Sequence, residues 1–177
     1  VTCPLATNPA TRISESFVRG DDLVVGYQEC ADQIRCQLNW RALAVRDADV
    51  VAGVELLVSV QTQLLDSRPR ILVTSEFPPG TTLADPPNPS NPALQVFRLA
   101  GIELSYVQAV YPADFAASQF LPGPMLQYQT ALRVERMEKG VIRCCRVRGW
   151  WVARSPDMRL ANELAAEFLA DPLPLTA

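Results

Sequence analysis

The sequence predicts a mainly β protein, in which about eight or nine strands form an antiparallel sandwich or a strongly bent sheet. Three observations support this fold class. Apolar and polar residues alternate along most of the chain, which is the period of a β-strand. Turn-forming residues separate these runs at short intervals. A full amphipathic helical pattern occurs only near the C terminus, so one C-terminal helix is expected to pack on the sheet.

We expect residues 1–177 to form a single domain, because a chain of this length with 49% hydrophobic residues can form one well-packed core. The predicted parts, in chain order, are an extended arm (1–12), a first β half (13–77), a proline-rich loop (78–93), a second β half (94–154) and the C-terminal helix (155–171).

The first β half is predicted to begin with a hairpin over residues 13–28, because two apolar runs flank a Gly-Asp turn. Residues 35–45 alternate cleanly and indicate a half-buried strand. The next run, 54–64, is long for a strand and suits a large or curved sheet. A further β-branched run covers residues 71–77, so strand follows strand without an intervening helix.

The segment from 78 to 92 contains six prolines, which lack the backbone N–H that a sheet requires, so no strand pairing is expected there. Residues 94–99 and 102–110 should form another hairpin about Ala-Gly. The irregular stretch that follows could include one or two helical turns at residues 113–120.

A long hairpin is predicted next, with arms at 126–137 and 141–153 joined at Gly140. Its second arm loses the alternation near Gly149, which suggests a bulge or a bend there. This is also the basic part of the chain. Residues 133–159 hold eight basic and three acidic side chains, whereas the whole chain has a formal charge of −3.

The C-terminal helix has recognisable start signals. Ser155 could cap the helix through its hydroxyl, Pro156 suits the first turn, and Asp157 would lie near the positive end of the helix dipole. An apolar stripe at intervals of four residues should pack on the sheet, and it consists of Leu160, Leu164 and Phe168.

Several chemistries are excluded by composition. Histidine is absent, so no catalytic triad, histidine-ligated zinc or histidine pH switch can exist. The chain has no glycine-rich phosphate loop, and its paired aspartates (21–22, and 47 with 49) occupy predicted turns, where aspartate is common. We therefore assign no catalytic, cofactor-binding or metal-binding residue, expect no cofactor, and do not expect an enzyme.

The five cysteines are odd in number and form no Cys-x-x-Cys motif, which favours a reduced, cytoplasmic protein. Secretion or a periplasmic location is the alternative, since Cys30 and Cys36 could pair across a short loop. No apolar run reaches the ~18–20 residues of a membrane helix, and no signal-peptide pattern is evident.

The function predicted from these patterns is that of a non-catalytic adaptor or assembly module. It would present a β-sheet surface to an acidic macromolecule, most simply a protein or a second copy of the chain, with nucleic acid disfavoured. The alternative is a carrier for a small apolar ligand inside a β-barrel. A further interpretation is that the basic stretch attracts the rest of the same chain. The candidate partner-binding residues are Arg133, Arg143, Arg146, Arg148, Trp150, Trp151 and Arg154.

Overall fold

The computed structural model describes residues 13–27, 33–86, 88 and 90–171 of the chain. Two antiparallel sheets and a C-terminal helix make up the described fold, which confirms the predicted class. The large sheet has the strand order β1 (Ile13–Arg19), β2 (Asp22–Tyr27), β3 (Ile34–Ala42), β4 (Val50–Thr62), β11 (Ile142–Ala153), β8 (Leu104–Val110), β7 (Leu94–Arg98) and β6 (Thr82–Leu83). The small sheet has the order β5 (Ile71–Phe77), β10 (Leu126–Leu132) and β9 (Phe115–Leu121).

The two sheets pack face to face around a core of apolar side chains, and helix α1 (Asp157–Ala170) covers part of the other face of the large sheet. Between the sheets, Cys145 and Val147 of β11 meet side chains of the small sheet. On the helix side, Trp150 and Val152 of the same strand pack with Phe168. The central strand β11 is thus buried on both of its faces.

The first predicted hairpin is confirmed, since β1 and β2 pair antiparallel and Arg19 lies opposite Asp22 across the two-residue turn. Gly20 has a φ of 60°, and this positive value at the first central position is the one that a type II′ turn needs. The predicted hairpin at residues 94–110 is confirmed as β7 and β8, which pair from Leu94 opposite Ala109 to Arg98 opposite Ser105.

The predicted basic hairpin is wrong. Strand β10 pairs with β5 and β9 in the small sheet, whereas β11 lies between β4 and β8 in the large sheet. The two strands lie in different layers of the sandwich. The alternation in each arm indicated strands correctly, but alternation carries no information about which strands pair.

Gly149 is not the site of a bulge between β11 and β4, because that register shift lies between Trp151 and Val152. A Cβ atom at Gly149 would overlap the ring of Tyr106. The glycine therefore allows the aromatic ring to lie directly against the backbone of β11, a close approach that no other residue would permit.

Three smaller predictions are also corrected. The helical turns expected at 113–120 are a single 3₁₀ turn, Pro112–Asp114, followed by strand β9. The proline-rich segment does contain a short ladder, since Thr82 and Leu83 pair with β7 in a gap between prolines. The helix begins after Pro156 with no side-chain cap, so Ser155 is not the N-cap residue.

No helix among the described residues is long and apolar enough to cross a membrane.

Candidate functional site

Two arginines of β11 and one glutamate of β4 form a cluster of charges inside the protein. Glu55 is 2% exposed, and its Oε1 accepts hydrogen bonds from Arg146 Nε at 3.1 Å, Arg146 Nη2 at 2.8 Å and Arg148 Nε at 2.9 Å. Both arginines are also buried. Charge-assisted bonds of this kind are needed to offset the cost of removing three charged groups from water.

The strand register explains why these side chains meet. Arg148 lies directly opposite Glu55, and Arg146 is two residues along the same strand, so both arginines point to the face on which the glutamate lies. That is the face covered by the end of helix α1. The guanidinium carbons of Arg146 and Arg148 lie 4.9 Å and 4.6 Å from the centre of the Phe168 ring. The helix is therefore held on the sheet by cation–π contacts as well as by apolar packing.

The cluster continues in both directions across the sheet. Arg41 of β3 lies 4.0 Å from Glu55 and donates from its Nε to Asp22 Oδ1 at 3.0 Å. The hydrogen bond from Arg41 is the main reason that the pKa of Asp22 is lowered, against the opposing effect of its burial. At the other end, Arg148 Nη2 donates to Asp171 just after the helix. Opposite charges thus alternate from β2 to the end of α1.

A groove opens beside this cluster, between helix α1 and the connection that joins β3 to β4, and we call it the helix groove. Its volume is about 290 Å³. The floor is apolar, and the walls carry charged side chains from the connection and from one face of the helix. The lining residues are Leu43, Ala44, Val45, Arg46, Asp47, Val50, Arg148, Trp150, Leu160, Glu163, Leu164, Glu167 and Asp171.

Some charged side chains of the helix groove form ion pairs within the chain, and others do not. Glu163 is paired, because it accepts from Arg159 Nη1 at 2.7 Å. Arg159 also lies 3.9 Å from Asp49, and its pKa is raised chiefly by the hydrogen bond to Glu163. By contrast, Arg46 and Glu167 have neither an ion pair nor a side-chain hydrogen bond with any of the residues that the structure describes. The groove therefore offers an unpaired cation on one wall and an unpaired carboxylate on the other.

The structure distributes the seven predicted partner-binding residues over both faces of the large sheet. Arg146, Arg148 and Trp150 are buried on the helix side, and only the last two line the helix groove. Trp151 points into the sandwich, where its ring lies 5.1 Å from that of Tyr106. The seven do not form one surface.

The remaining three arginines also lie apart. Arg143 is half-buried and donates from its Nη2 to Asp114 at 3.3 Å. Burial is the largest influence on Asp114 and raises its pKa, although hydrogen bonds and the nearby arginines act in the opposite direction. Arg154 donates to the backbone carbonyls of Leu99 and Ile102. Arg133 is the exposed member of the set.

Sequence reasoning missed Glu55, Arg46 and Glu167. Alternation along residues 54–64 predicts that Glu55 lies on the polar face of its strand. A signal did exist, because polar residues on that face need partners if the face is covered. Arg46 directly precedes the predicted turn at residues 47–49, and Glu167 lies beside the predicted apolar stripe, three residues after Leu164. The meeting of Arg46 and Glu167 at one groove depends on how the connection folds beside the helix, which local patterns do not specify.

No group of three or more cysteine, aspartate or glutamate residues in the described part of the chain is arranged to hold a metal ion. Of the cysteines, Cys144 and Cys145 occupy opposite faces of β11, and burial raises the pKa of Cys145 to about 12. Cys30 lies outside the described residues, so its pairing with Cys36 stays a prediction.

No protein-family model and no curated protein matches the chain. Among solved structures, the chain resembles one described as a kojibiose phosphorylase from the human microbiome, with a TM-score of 0.47 and 9% identity over 84% of this chain and 20% of the other. It also resembles a heparinase III gene product, with a TM-score of 0.48 and 10% identity over 83% of this chain and 22% of the other. The chain spans about a fifth of the length of each.

The interpretation of the chain as a non-catalytic adaptor is wrong. The basic face that it required does not exist as one surface, because Arg146, Arg148 and Trp150 are buried on the helix side of the large sheet and Trp151 points into the sandwich. The alternative of a barrel-shaped carrier is also wrong, because the described large sheet is open, with β1 and β6 at its edges, and the space between the sheets is filled by side chains such as Phe97 and Tyr128.

Proposed function

We propose that the protein binds a small, hydroxyl-rich ligand of the sugar type in the helix groove. One observation carries the proposal: within the described part of the chain, Arg46 and Glu167 are unpaired on opposite walls above an apolar floor. A hydroxyl group donates one hydrogen bond and accepts others, so a ligand with several hydroxyls can donate to Glu167 and accept from Arg46 at the same time. Its C–H face would lie on the floor.

The floor supports this ligand class. Val50, Trp150 and Leu160 provide apolar surface at the bottom of the groove. Trp150 is fixed by packing against Phe168, with ring centres 6.3 Å apart in an edge-on arrangement. Its position therefore does not depend on a ligand. Rigid apolar surface with a few well-placed polar groups is the usual composition of a small-molecule site.

The dimensions of the groove restrict the ligand. A volume of about 290 Å³ lies at the lower end of the ~300–1,000 Å³ typical of small-molecule sites. One or two sugar rings are a better match than a longer chain buried as a whole. A longer saccharide would have to extend out of the groove along the helix.

The proposal is tested by calorimetric titration of the purified protein with a panel of mono- and disaccharides. We expect at least one of them to bind. Glu167→Gln and Arg46→Gln should each weaken that binding about tenfold or more, because a hydrogen bond to a charged group contributes about 1.5–3 kcal/mol and 1.4 kcal/mol corresponds to a tenfold change.

Glu138→Gln is the matched control, since this exposed turn glutamate lies outside the groove and its loss should leave affinity unchanged. Binding that is equally strong in the two groove variants would place the ligand elsewhere and contradict the proposal. If no saccharide binds but a zwitterionic amino acid does, the groove is a ligand site and the ligand class proposed here is wrong.

A further inference from the structure

Strand β1 ends the large sheet, with β2 on one side and no described strand on the other. Such an edge presents unpaired backbone N–H and C=O groups, and proteins usually block these with proline, lysine or a bulge. Strand β1, Ile13–Arg19, contains neither proline nor lysine. It does have one irregularity, where the register with β2 shifts between Ile13 and Glu15. The regular part of the edge therefore runs from Glu15 to Arg19.

The side chains on this edge are apolar to an unusual degree for an exposed strand. Phe17 is 44% exposed and Val18 is 72% exposed, and Leu23 of the neighbouring β2 is also exposed. Large apolar side chains grouped on an open edge are typical of a surface that is covered by another chain.

The sequence of the edge is complementary to itself. If a second β1 pairs antiparallel with the first about a two-fold axis at Phe17, each Phe17 lies opposite its copy. Two residues away on either side, Glu15 of one copy then lies opposite Arg19 of the other, and the reverse holds beyond the axis. Phe17, Glu15 and Arg19 occupy alternate positions and therefore share one face of the sheet.

We propose that the chain associates with a second copy of itself through β1, so that the two large sheets form one continuous sheet. Two cross-strand ion pairs and one aromatic pair stabilise the junction, in addition to the backbone hydrogen bonds. The regular part of β1 runs from Glu15 to Arg19, so it extends two residues on either side of Phe17. A two-fold axis at Phe17 can therefore pair its whole length with that of a second copy.

The contacts of these residues within one chain are compatible with this pairing. Glu15 Oε1 lies 3.5 Å from Arg35, and both side chains are well exposed. The carboxylate can therefore accept from a second arginine without losing a buried contact. Arg19 has no ion pair within the described part of the chain.

Sedimentation equilibrium of the full chain tests the proposal, with charge reversals at the two complementary positions. The wild-type protein should show a monomer–dimer equilibrium. Arg19→Glu places Glu15 opposite a glutamate at both ends of the junction, and Glu15→Arg places Arg19 opposite an arginine. Each variant should raise the dimer dissociation constant by about tenfold or more, since opposite charges across strands attract and like charges repel.

The double variant Glu15→Arg/Arg19→Glu restores both pairs with exchanged charges, so it should dimerise close to the wild-type level. Arg68→Glu, an exposed arginine far along the chain from β1, is the control for net charge and should dimerise normally. Thermal unfolding of every variant checks that the monomer is folded. A wild-type protein that stays monomeric at millimolar concentration overturns the proposal, as does a double variant that fails to recover dimerisation.

Discussion

The centre of the large sheet and its β1 edge differ in which side chains they bury. In the centre, β11 lies between the small sheet and helix α1, and even Arg146 and Arg148 are buried there, with Arg146 at 3% exposure. At the β1 end, Val18 and Phe17 are exposed. What decides burial is therefore whether a second layer covers the strand. Hydrophobicity alone would have placed the arginines outside and the valine inside.

The covered centre of the sheet can bury Arg146 and Arg148 because each donates hydrogen bonds to an acceptor there. Glu55 accepts from both, and Phe168 stacks against both. A buried charge that loses its partner is far more costly than an exposed one. We therefore expect substitutions at the covered centre to change the free energy of unfolding strongly. Substitutions at the β1 edge should instead change the association of two copies.

The largest expected effect follows from removing Glu55. Glu55→Ala leaves two guanidinium groups buried without their shared acceptor, and it should lower the free energy of unfolding by about 3–5 kcal/mol. Urea denaturation measures this change. Glu103→Ala removes a glutamate whose side chain is 90% exposed, and its effect should stay within about 0.5 kcal/mol. Equal stability of the two variants would mean that the buried charges at the covered centre of the sheet do not contribute to stability.

A comparable but smaller effect is expected for the helix. Phe168→Ala removes a fully buried ring that contacts both arginines and Trp150, at an expected cost of about 3–4 kcal/mol. Leu169→Ala alters the next residue, which is 49% exposed, and it should change stability by less than ~1 kcal/mol. Thermal unfolding of the pair measures how tightly α1 is docked. A helix that tolerates both substitutions equally would not be held on the sheet.

The smallest expected effect is a pH dependence of the free energy of unfolding, which arises from Asp157 at the start of helix α1. Burial alone would raise the pKa of Asp157, but hydrogen bonds from Arg98 at 3.0 Å and Ser105 at 2.8 Å hold it below the ordinary value. A lowered pKa in the folded state means that the stabilisation is complete above the ordinary aspartate pKa of about 3.9. It is lost as the pH falls from there towards the folded-state value.

The measurement is the urea midpoint at pH 5 and at pH 3 for the wild type and Asp157→Asn. The wild type should lose more stability between the two pH values than the variant does, because asparagine does not titrate. Asp114 acts in the opposite direction in both proteins, since its pKa is raised, and it cancels in the difference. An identical pH response of the two proteins would show that Asp157 is not stabilised by its partners.

The fold class and most strands could be predicted from local patterns, because alternation and turn residues are local signals. The β1–β2 hairpin is the clearest case, since Gly20 marks the turn in sequence and in structure. The partner of β11 could not be predicted, because β4 lies more than 80 residues away and nothing local identifies it. The candidate site was missed for the same reason: the connection that carries Arg46 and the helix that carries Glu167 meet at the groove only after the long-range pairing is made.

The charge asymmetry of the sequence was nevertheless informative. Of the interpretations drawn from it, attraction between the basic stretch and the rest of the chain is confirmed, since Arg146 and Arg148 pair with Glu55 and Arg143 pairs with Asp114. An excess of arginine in one segment and of carboxylates in another can therefore indicate strands that meet in the core. Such an excess does not have to indicate an exposed basic surface.

Arg146 and Arg148 of β11 are structural groups inside the protein, and solvent exchange of their side-chain Nε–H protons tests this most directly. Arg146 and Arg148 should give slowly exchanging NMR signals, because each Nε donates to Glu55 in a buried site. The exposed Arg133 supplies the reference for rapid exchange. In Glu55→Gln, both signals should exchange faster than in the wild type, because the shared carboxylate is gone. Wild-type signals of Arg146 and Arg148 that exchange as rapidly as that of Arg133 would contradict the account.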